Sequence, residues 1–252
     1  MVTTGRTRLV LLGSGGFAPS DSRDTATALV RKGTDGLLID AGTGTRRLLT
    51  DRGLLDGVEA VHVLLTHFHL DHLIGLFYLA DVDVPLIVWG GGERLEGVST
   101  HSVVERLLGP PFAPAGFLAG FRDVRELNVE EDTQVGAFSV RTRVQPLHSN
   151  PTLALRIDDA LVWCTDTAYD PGNVEFARGA HVLCHEAFSG GGTAGHSAAR
   201  EAAGLAAAAG VGRLVLIHLD PTAGDEQAVL AAARDVFPAS ELGVDGLVVP
   251  MA

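Results

Sequence analysis

The chain has 252 residues, 46% of them hydrophobic, so it can bury a sizeable core, and we expect a single domain over residues 1–252. Its net charge of −12 disfavours nonspecific binding to a long nucleic acid, because such binding relies on Lys and Arg displacing counterions from phosphates. No segment approaches the roughly 18 unbroken apolar residues of a membrane span, and the short polar start is unlike a secretory signal. We therefore expect a cytoplasmic protein with a small substrate and no membrane or long nucleic-acid partner.

The first half of the chain predicts a β-rich layer. Apolar runs between Gly- and Ser-rich turns predict strands at Leu9–Leu12, Thr27–Arg31, Leu37–Asp40, Val61–Thr66 and Pro85–Trp89. Helical spacing predicts helices at Asp71–Ala80 and Ser102–Leu108, and Pro110 and Pro111 end the second of them. The segment 110–120 is expected to be a loop near the site.

The second half echoes this organisation. Strands are predicted at Phe138–Val144, Leu153–Ile157 and Leu161–Cys164, with the turn pair Asp158 and Asp159 between the last two. Ser197 is expected to cap an Ala-rich helix that ends near Gly210, followed by a strand at Leu214–Ile217, a helix at Asp225–Phe237 and a strand near Leu247. Two β halves with peripheral helices predict a sheet-on-sheet sandwich. Cys164 and Cys184 lie in apolar runs and are interpreted as core residues in a reducing compartment.

The segment from Thr66 to His72 holds four side chains that can bind metal, between a predicted buried strand and a predicted helix. His67 and His69 are two residues apart on an extended segment, so both can point to the same side, whereas Asp71 and His72 begin the helix and can reach a neighbouring point. Zinc accepts imidazole nitrogen and carboxylate oxygen, and a catalytic site leaves it a position for water. This density favours two metal ions; the alternative is a polar loop that is rich in histidine without a metal.

The segment resembles the H-x-H-x-D-H motif of the metallo-β-lactamase superfamily, and the resemblance extends over essentially the whole chain. It implies a four-layer αββα sandwich of the α/β (α+β) class, with two zinc ions at one edge; manganese or iron could occupy similar sites. His148 then matches the third ligand of the first metal, Asp166 the bridging carboxylate and His218 the last ligand of the second metal. The implied metal ligands are His67, His69, His148, Asp71, His72, Asp166 and His218.

A narrower resemblance is to the ribonuclease Z branch. It is carried by Leu183-Cys184-His185-Glu186-Ala187-Phe188 and by Gly195-His196-Ser197. In that branch the glutamate orients the histidine, which donates a proton to the leaving oxygen, so Glu186 and His196 are the catalytic candidates, together with Asp71. The alternative is that Glu186 is a solvated strand end and His196 only begins a helix.

Other segments also match this branch, including Leu12-Gly13-Ser14-Gly15-Gly16, Arg23 and the turn after Asp40. Asp40 is expected to organise the metal-side loops through hydrogen bonds rather than to bind metal. His62, His101, His181 and His185 match no ligand position and are interpreted as structural.

The resemblance implies a hydrolase in which a hydroxide bridging both metals attacks the substrate. Only 17 residues separate His148 from Asp166, enough for two short strands and a turn but not for the inserted arm that grips tRNA in ribonuclease Z. This favours small cyclic or linear phosphodiesters over tRNA 3′ processing. Arylsulfatase-, lactonase- or thioesterase-like hydrolysis is the main alternative, because the pocket rather than the metals selects the substrate. A noncatalytic binding module is a further alternative, and the family suggests a homodimer.

Overall fold

The computed structural model describes residues 7–188, 195–222 and 224–251. In this part of the chain the strands are β1 Arg8–Gly13, β2 Thr27–Lys32, β3 Asp35–Ile39, β4 Ala60–Leu64, β5 Leu86–Gly90, β6 Asp123–Glu126, β7 Asp132–Val135, β8 Phe138–Gln145, β9 Thr152–Ile157, β10 Leu161–Cys164, β11 Val182–Glu186, β12 Arg213–Ile217, β13 Ser240–Leu242 and β14 Val248–Pro250. The α-helices described are α1 Arg47–Thr50, α2 Leu70–Leu73, α3 Gly92–Glu96, α4 Thr100–Leu107, α5 Gly172–Phe176, α6 Ala199–Ala209 and α7 Glu226–Arg234. Short 3₁₀ segments occur at Thr43–Arg46, Arg52–Leu55, Ile74–Asp81 and Phe117–Gly120.

The strands form two seven-stranded mixed sheets, in the orders β14-β1-β2-β3-β4-β5-β6 and β13-β12-β11-β10-β9-β8-β7. Within the first sheet, β14 to β3 pair antiparallel and β3 to β6 pair parallel. Within the second, β13 to β10 pair parallel and β10 to β7 pair antiparallel. With helices on the outer faces, this confirms the predicted αββα sandwich.

Successive side chains of a strand point to opposite faces of the sheet. The two sheets therefore have three layers of apolar packing, one between them and one on each outer face. In β1, Leu9 and Leu11 belong to the core between the sheets, whereas Val10 and Leu12 pack with the helices on the other face. The Ala-rich helix α6 covers the second sheet, where its small side chains pack closely on Leu183 and Leu214. Burying a Leu or Val side chain contributes roughly 1.5–3 kcal/mol, so this alternation favours one register for each strand.

The predicted strands agree with the structure apart from their exact ends. β11 forms at the apolar run around Cys184, for which no strand range was predicted, and three further strands were not predicted at all. β6, β7 and β13 are short and carry several exposed polar residues, so they lack an apolar run. The turn between β9 and β10 is confirmed: Asp158 and Asp159 have φ values of +49° and +55°, as a tight hairpin turn requires. No helix within the described residues is long and apolar enough to cross a membrane.

The predicted helix at Asp71–Ala80 is wrong in type, because only one α-helical turn forms before a 3₁₀ segment. The N–H of Gly75 donates to the carbonyl of Ala41 at 2.6 Å, and the carbonyl of Asp71 accepts from Thr25 Oγ1 at 2.7 Å. The α-helical bond between Gly75 and Asp71 is therefore replaced by two tertiary bonds. These bonds tie the metal-binding segment to the loop after β3.

Two predicted helix ends also need correction. Ser197 does not cap α6: its hydroxyl donates to the carbonyl of Thr167 at 2.7 Å, and the N-terminal cap is Ala198. At α7 the predicted Asp225 is the cap, since its Oδ1 accepts from the N–H of Ala228, but the helix ends at Arg234 rather than Phe237.

Candidate metal centre

The candidate ligands lie where strands from both sheets end at one edge of the sandwich. His67 follows β4, His148 follows β8, Asp166 follows β10 and His218 follows β12. Asp166 and His218 have left-handed backbones, with φ values of +52° and +49°. Such conformations are uncommon outside glycine and cluster at functional sites, where the surrounding structure holds them in place. Both side chains are buried and belong to the groups of candidate ligands.

Three overlapping groups of side chains meet at this edge; two of them hold the seven predicted ligands, and the third contains Asp166, His196 and His218. The first contains His67, His69, His148 and Asp166, and the second contains Asp71, His72 and His218; within each group the candidate ligand atoms lie within 4.8 Å of one another. The rings of His67 and His69 are 4.6 Å apart, which agrees with the prediction that both point to one side. All seven predicted ligands therefore meet in one place.

Asp166 is positioned between the two groups. Its Oδ1 lies 3.6 Å from Nε2 of His148, whereas its Oδ2 lies 3.1 Å from Nε2 of His72 and 3.3 Å from Nε2 of His218. Within the second group, Oδ2 of Asp71 lies 3.3 Å from Nε2 of His72. A carboxylate with one oxygen toward each group has the geometry of a bridge between two cations.

The donor atoms of this cluster suit divalent cations better than they suit hydrogen bonding to one another. Nε2 of His67, His72 and His218 is buried and makes no hydrogen bond to any residue that the structure describes. Buried polar atoms are nearly always paired, so three converging imidazole nitrogens without partners call for electron acceptors such as metal ions. Imidazole nitrogens and carboxylate oxygens are also donors that zinc accepts.

Burial and charge give His67 and Asp166 the protonation states of metal ligands. For His72 and His218, by contrast, burial is outweighed by Asp166 and other nearby carboxylates, which raise the pKa of both imidazoles. Burial lowers the pKa of His67 well below its usual value, and the nearby His72 lowers it further, so this imidazole is neutral. Burial opposes ionisation of Asp166, but His218 and His72 outweigh it and hold the pKa of this carboxyl well below its usual range. A neutral imidazole and an ionised carboxylate have lone pairs free to bind metal.

Hydrogen bonds from outside the cluster orient two of the imidazoles. Nδ1 of His72 lies 2.9 Å from Oδ2 of Asp40, and Nδ1 of His148 lies 2.9 Å from the carbonyl of Gly195. In each case the bond at Nδ1 leaves the lone pair of Nε2 directed at the cluster. The sequence predicts that Asp40 organises the metal-side loops through hydrogen bonds; its direct contact with the ring of a candidate ligand is an addition from the structure.

Asp40 has a partner that sequence reasoning did not identify. The backbone N–H and hydroxyl of Thr66 donate to the Asp40 carboxylate at 2.8–3.0 Å, and Thr66 Oγ1 lies 3.0 Å from Nδ1 of His67. Thr66 therefore links the ligands of the two groups through one carboxylate. Its position directly before the histidine motif was the available signal.

Glu186 and His196 form the predicted pair beside the cluster. Oε2 of Glu186 is 2.8 Å from Nδ1 of His196, and its Oε1 accepts from the backbone N–H of Thr167. Burial raises the pKa of Glu186, and burial lowers the pKa of His196. Glu186 is fully buried, which contradicts the alternative that it is a solvated strand end.

His196 faces a cavity of about 730 Å³, and Glu186 lies buried behind it. His196 lines this cavity together with His69, His148, Asp71, Asp166 and His218. Gly16 lies so close to the ring of His218 that a Cβ there would be 2.4 Å from its Nδ1. Glycine at this position allows the backbone to pass under the ring.

The four remaining histidines lie outside the metal groups found in the described residues. His62 accepts from Trp89 Nε1 at 3.1 Å, and buried His185 is 2.9 Å from the carbonyl of Glu186 through Nδ1. His101 and His181 are exposed. The placement of all four agrees with their interpretation as structural.

Comparison with known proteins places this site in a family. Residues 36–219 match the model of the beta-lactamase superfamily domain. The chain is similar to the ribonuclease Z of Methanopyrus kandleri, with 33% identity over 94% of this chain and 95% of that protein. In structure it is similar to the metallo-β-lactamase fold protein YhfI from Bacillus subtilis, with a TM-score of 0.78, 22% identity and coverage of 97% of this chain and 99% of the other.

A diphosphatase of the PhnP family also has this fold, with a TM-score of 0.75, 16% identity and coverage of 98% of both chains. The matched family segment contains every residue of the His/Asp cluster, which fits a divalent metal site. The chain therefore belongs to the beta-lactamase superfamily, as a metal-dependent hydrolase of the metallo-β-lactamase fold and a homologue of ribonuclease Z.

Proposed function

We propose that the protein is a dinuclear zinc phosphodiesterase that cleaves small cyclic or linear phosphodiesters. The observation that carries this proposal is the 2.8 Å contact between Glu186 and His196 at the wall of the cavity that holds the ligand cluster. Expulsion of an alkoxide from a phosphodiester requires a proton, and an imidazole held by a buried carboxylate is suited to donate it.

In this proposal one metal would be held by His67, His69, His148 and Asp166, and the other by Asp71, His72 and His218, with Asp166 shared between the two. When bound, such a pair of cations lowers the pKa of water and stabilises the negative charge that develops on the phosphoryl group. We choose zinc because five of the seven ligands are histidines; manganese and iron are the alternatives.

His196 and Glu186 then have separate tasks. Glu186 is fixed by the N–H of Thr167 and holds Nδ1 of His196, so Nε2 is the nitrogen left for the cavity. In its imidazolium form His196 donates Nδ1–H to Glu186 and transfers its Nε2 proton to the leaving oxygen, which leaves a neutral imidazole; Glu186 keeps the ring oriented during the transfer. Glu186 is a positioning residue, and His196 is the catalytic residue.

Ribonuclease activity is a second candidate, because the curated relatives bear that name. Two observations favour a smaller substrate. Between His148 and Asp166 the chain forms only the antiparallel pair β9 and β10, joined by the three residues 158–160. The alignment with the Methanopyrus kandleri protein extends over 274 positions, more than the 252 residues of this chain, so that relative contains segments with no counterpart here.

The test is a substrate panel with the zinc-loaded protein. It comprises methyl p-nitrophenyl phosphate, cyclic mononucleotides, a tRNA precursor, p-nitrophenyl sulfate, a lactone and an acyl thioester. We expect turnover of the phosphodiesters, its loss in Asp166→Asn together with bound zinc, and no change in the control His181→Gln, whose side chain is exposed. Turnover of thioesters, lactones or sulfates alone would contradict the proposal. Zinc binding without turnover of any compound would indicate a noncatalytic binding module.

A further inference from the structure

Phe17 lines the cavity beside the candidate metal centre but does not pack in the hydrophobic core. Its side chain is 75% exposed, yet it lines the cavity of about 730 Å³ together with Asp71, His196 and His218. A single exposed apolar residue is ordinary. The backbone conformation of Phe17, however, is unusual.

The loop holds Phe17 in a conformation that bulky residues rarely adopt. Its φ is +60°, in the left-handed region. The carbonyl of Gly16 accepts from the N–H of Ala18 at 2.7 Å, which closes a three-residue turn around Phe17. The N–H of Phe17 donates to Oδ2 of Asp71 at 3.1 Å, so the turn is fixed directly to a candidate metal ligand. Strain that the surrounding structure maintains at such a place points to a role in function.

A second aromatic ring lies on the cavity wall near the proton donor. The ring of Phe188 stacks on that of His196, with 4.4 Å between centroids and 23° between planes. The other lining residues among those described are small, hydroxyl-bearing or aliphatic outside the metal cluster, and none is Lys or Arg. The body of a substrate beyond its scissile phosphate therefore meets aromatic and neutral surface rather than sites for further anions.

We propose that Phe17 is a specificity-determining residue that stacks on a planar aromatic ring of the substrate. This inference rests on the proposed phosphodiesterase function and narrows its substrate class to phosphodiesters in which the ester group that is not expelled carries a nucleobase or an aryl ring. Aromatic side chains stack on any nucleobase, because every base has a π-face. From the usual effect of removing such a ring we expect a loss of roughly 10-fold in kcat/KM.

The test keeps p-nitrophenolate as the leaving group and varies the other ester group among methyl, cyclohexyl, phenyl and 5′-thymidyl. The zinc-loaded protein should favour phenyl and thymidyl over methyl and over cyclohexyl, which has similar bulk without a π-face. Phe17→Leu should remove this preference by raising KM for the phenyl and thymidyl substrates. Phe17→Trp, which keeps an aromatic ring, should retain the preference. The control Phe112→Leu changes an equally exposed phenylalanine that does not line the cavity and should keep the preference. Preference for the thymidyl substrate alone would identify the recognised group as a nucleoside. Preference for both the thymidyl and the phenyl substrates would identify it as an aryl group in general.

A separate variant guards against a folding defect. Glycine tolerates positive φ, so Phe17→Gly should unfold at a temperature no lower than the wild type and still lose the aromatic preference. Equal kcat/KM for phenyl and cyclohexyl substrates, unaltered by Phe17→Leu, would overturn the inference and leave the phosphodiesterase proposal intact. If Phe17→Leu instead converts a dimer into a monomer in sedimentation, the residue belongs to an interface and the inference is wrong.

If no phosphodiester is turned over, the proposed function is refuted. The role of Phe17 is then tested by the binding of phosphonate ligands instead of by turnover. Isothermal titration of the zinc-loaded protein compares phenylphosphonate with methylphosphonate. Tighter binding of phenylphosphonate that Phe17→Leu abolishes supports the aromatic platform, and equal binding of both contradicts it.

Discussion

Oε2 of Glu186 lies 2.8 Å from Nδ1 of His196, and the same oxygen lies 3.8 Å from Nδ1 of His218. The carboxylate that orients the candidate proton donor therefore also borders a candidate metal ligand. This arrangement connects proton transfer to the metal centre through one fully buried side chain.

The first prediction concerns the leaving group. His196→Ala should lower kcat roughly 10²- to 10⁴-fold for a phosphodiester with an alkyl leaving group, because an alkoxide needs a proton. The loss should be much smaller with p-nitrophenolate, which leaves without one. Steady-state kinetics of both substrates, with His181→Gln as the control, measures the difference. Equal losses for the two leaving groups would mean that His196 is not the proton donor.

The second prediction concerns Asp40. Asp40→Asn tolerates the φ of +55° but weakens the interaction with Nδ1 of His72, so zinc affinity should fall roughly 10- to 100-fold. Competition with a zinc chelator measures this affinity. Asp159→Asn, which also has positive φ but pairs with Arg156 on the surface, is the matched control and should bind zinc normally. Unchanged affinity in Asp40→Asn would refute the orienting role.

The third prediction concerns stability in acid. Burial lowers the pKa of His62, with an opposing effect of Asp35 and a supporting one of Arg125. The unfolded chain therefore takes up a proton on this histidine near pH 6.5, before the folded chain does, and the free energy of unfolding falls as the pH drops through that range. His62→Gln retains an acceptor for Trp89 but cannot titrate.

Urea unfolding of the wild type and His62→Gln between pH 7.5 and pH 5 tests this. The stability advantage of the wild type over the variant should shrink as the pH falls. An advantage that grows in acid would show that the protonated histidine is favoured in the folded state.

The sequence allowed prediction of those features that are encoded locally. The segment His67 to His72 concentrates ligands within six positions, and the family resemblance extends this to His148, Asp166 and His218. The 3₁₀ form of Ile74–Asp81 could not be predicted, because it depends on tertiary bonds from Gly75 to Ala41 and from Thr25 to Asp71. The role of Phe17 was missed because an exposed apolar residue in a Gly-rich turn has no periodic signal.

The central claim is that seven side chains hold two adjacent cations, and anomalous X-ray scattering from zinc-loaded crystals tests it most directly. We expect two zinc peaks about 3.5 to 4 Å apart. One should lie among His67, His69 and His148, the other among Asp71, His72 and His218, with Asp166 bound to both. A single peak, or zinc bound away from Asp166, would contradict the account.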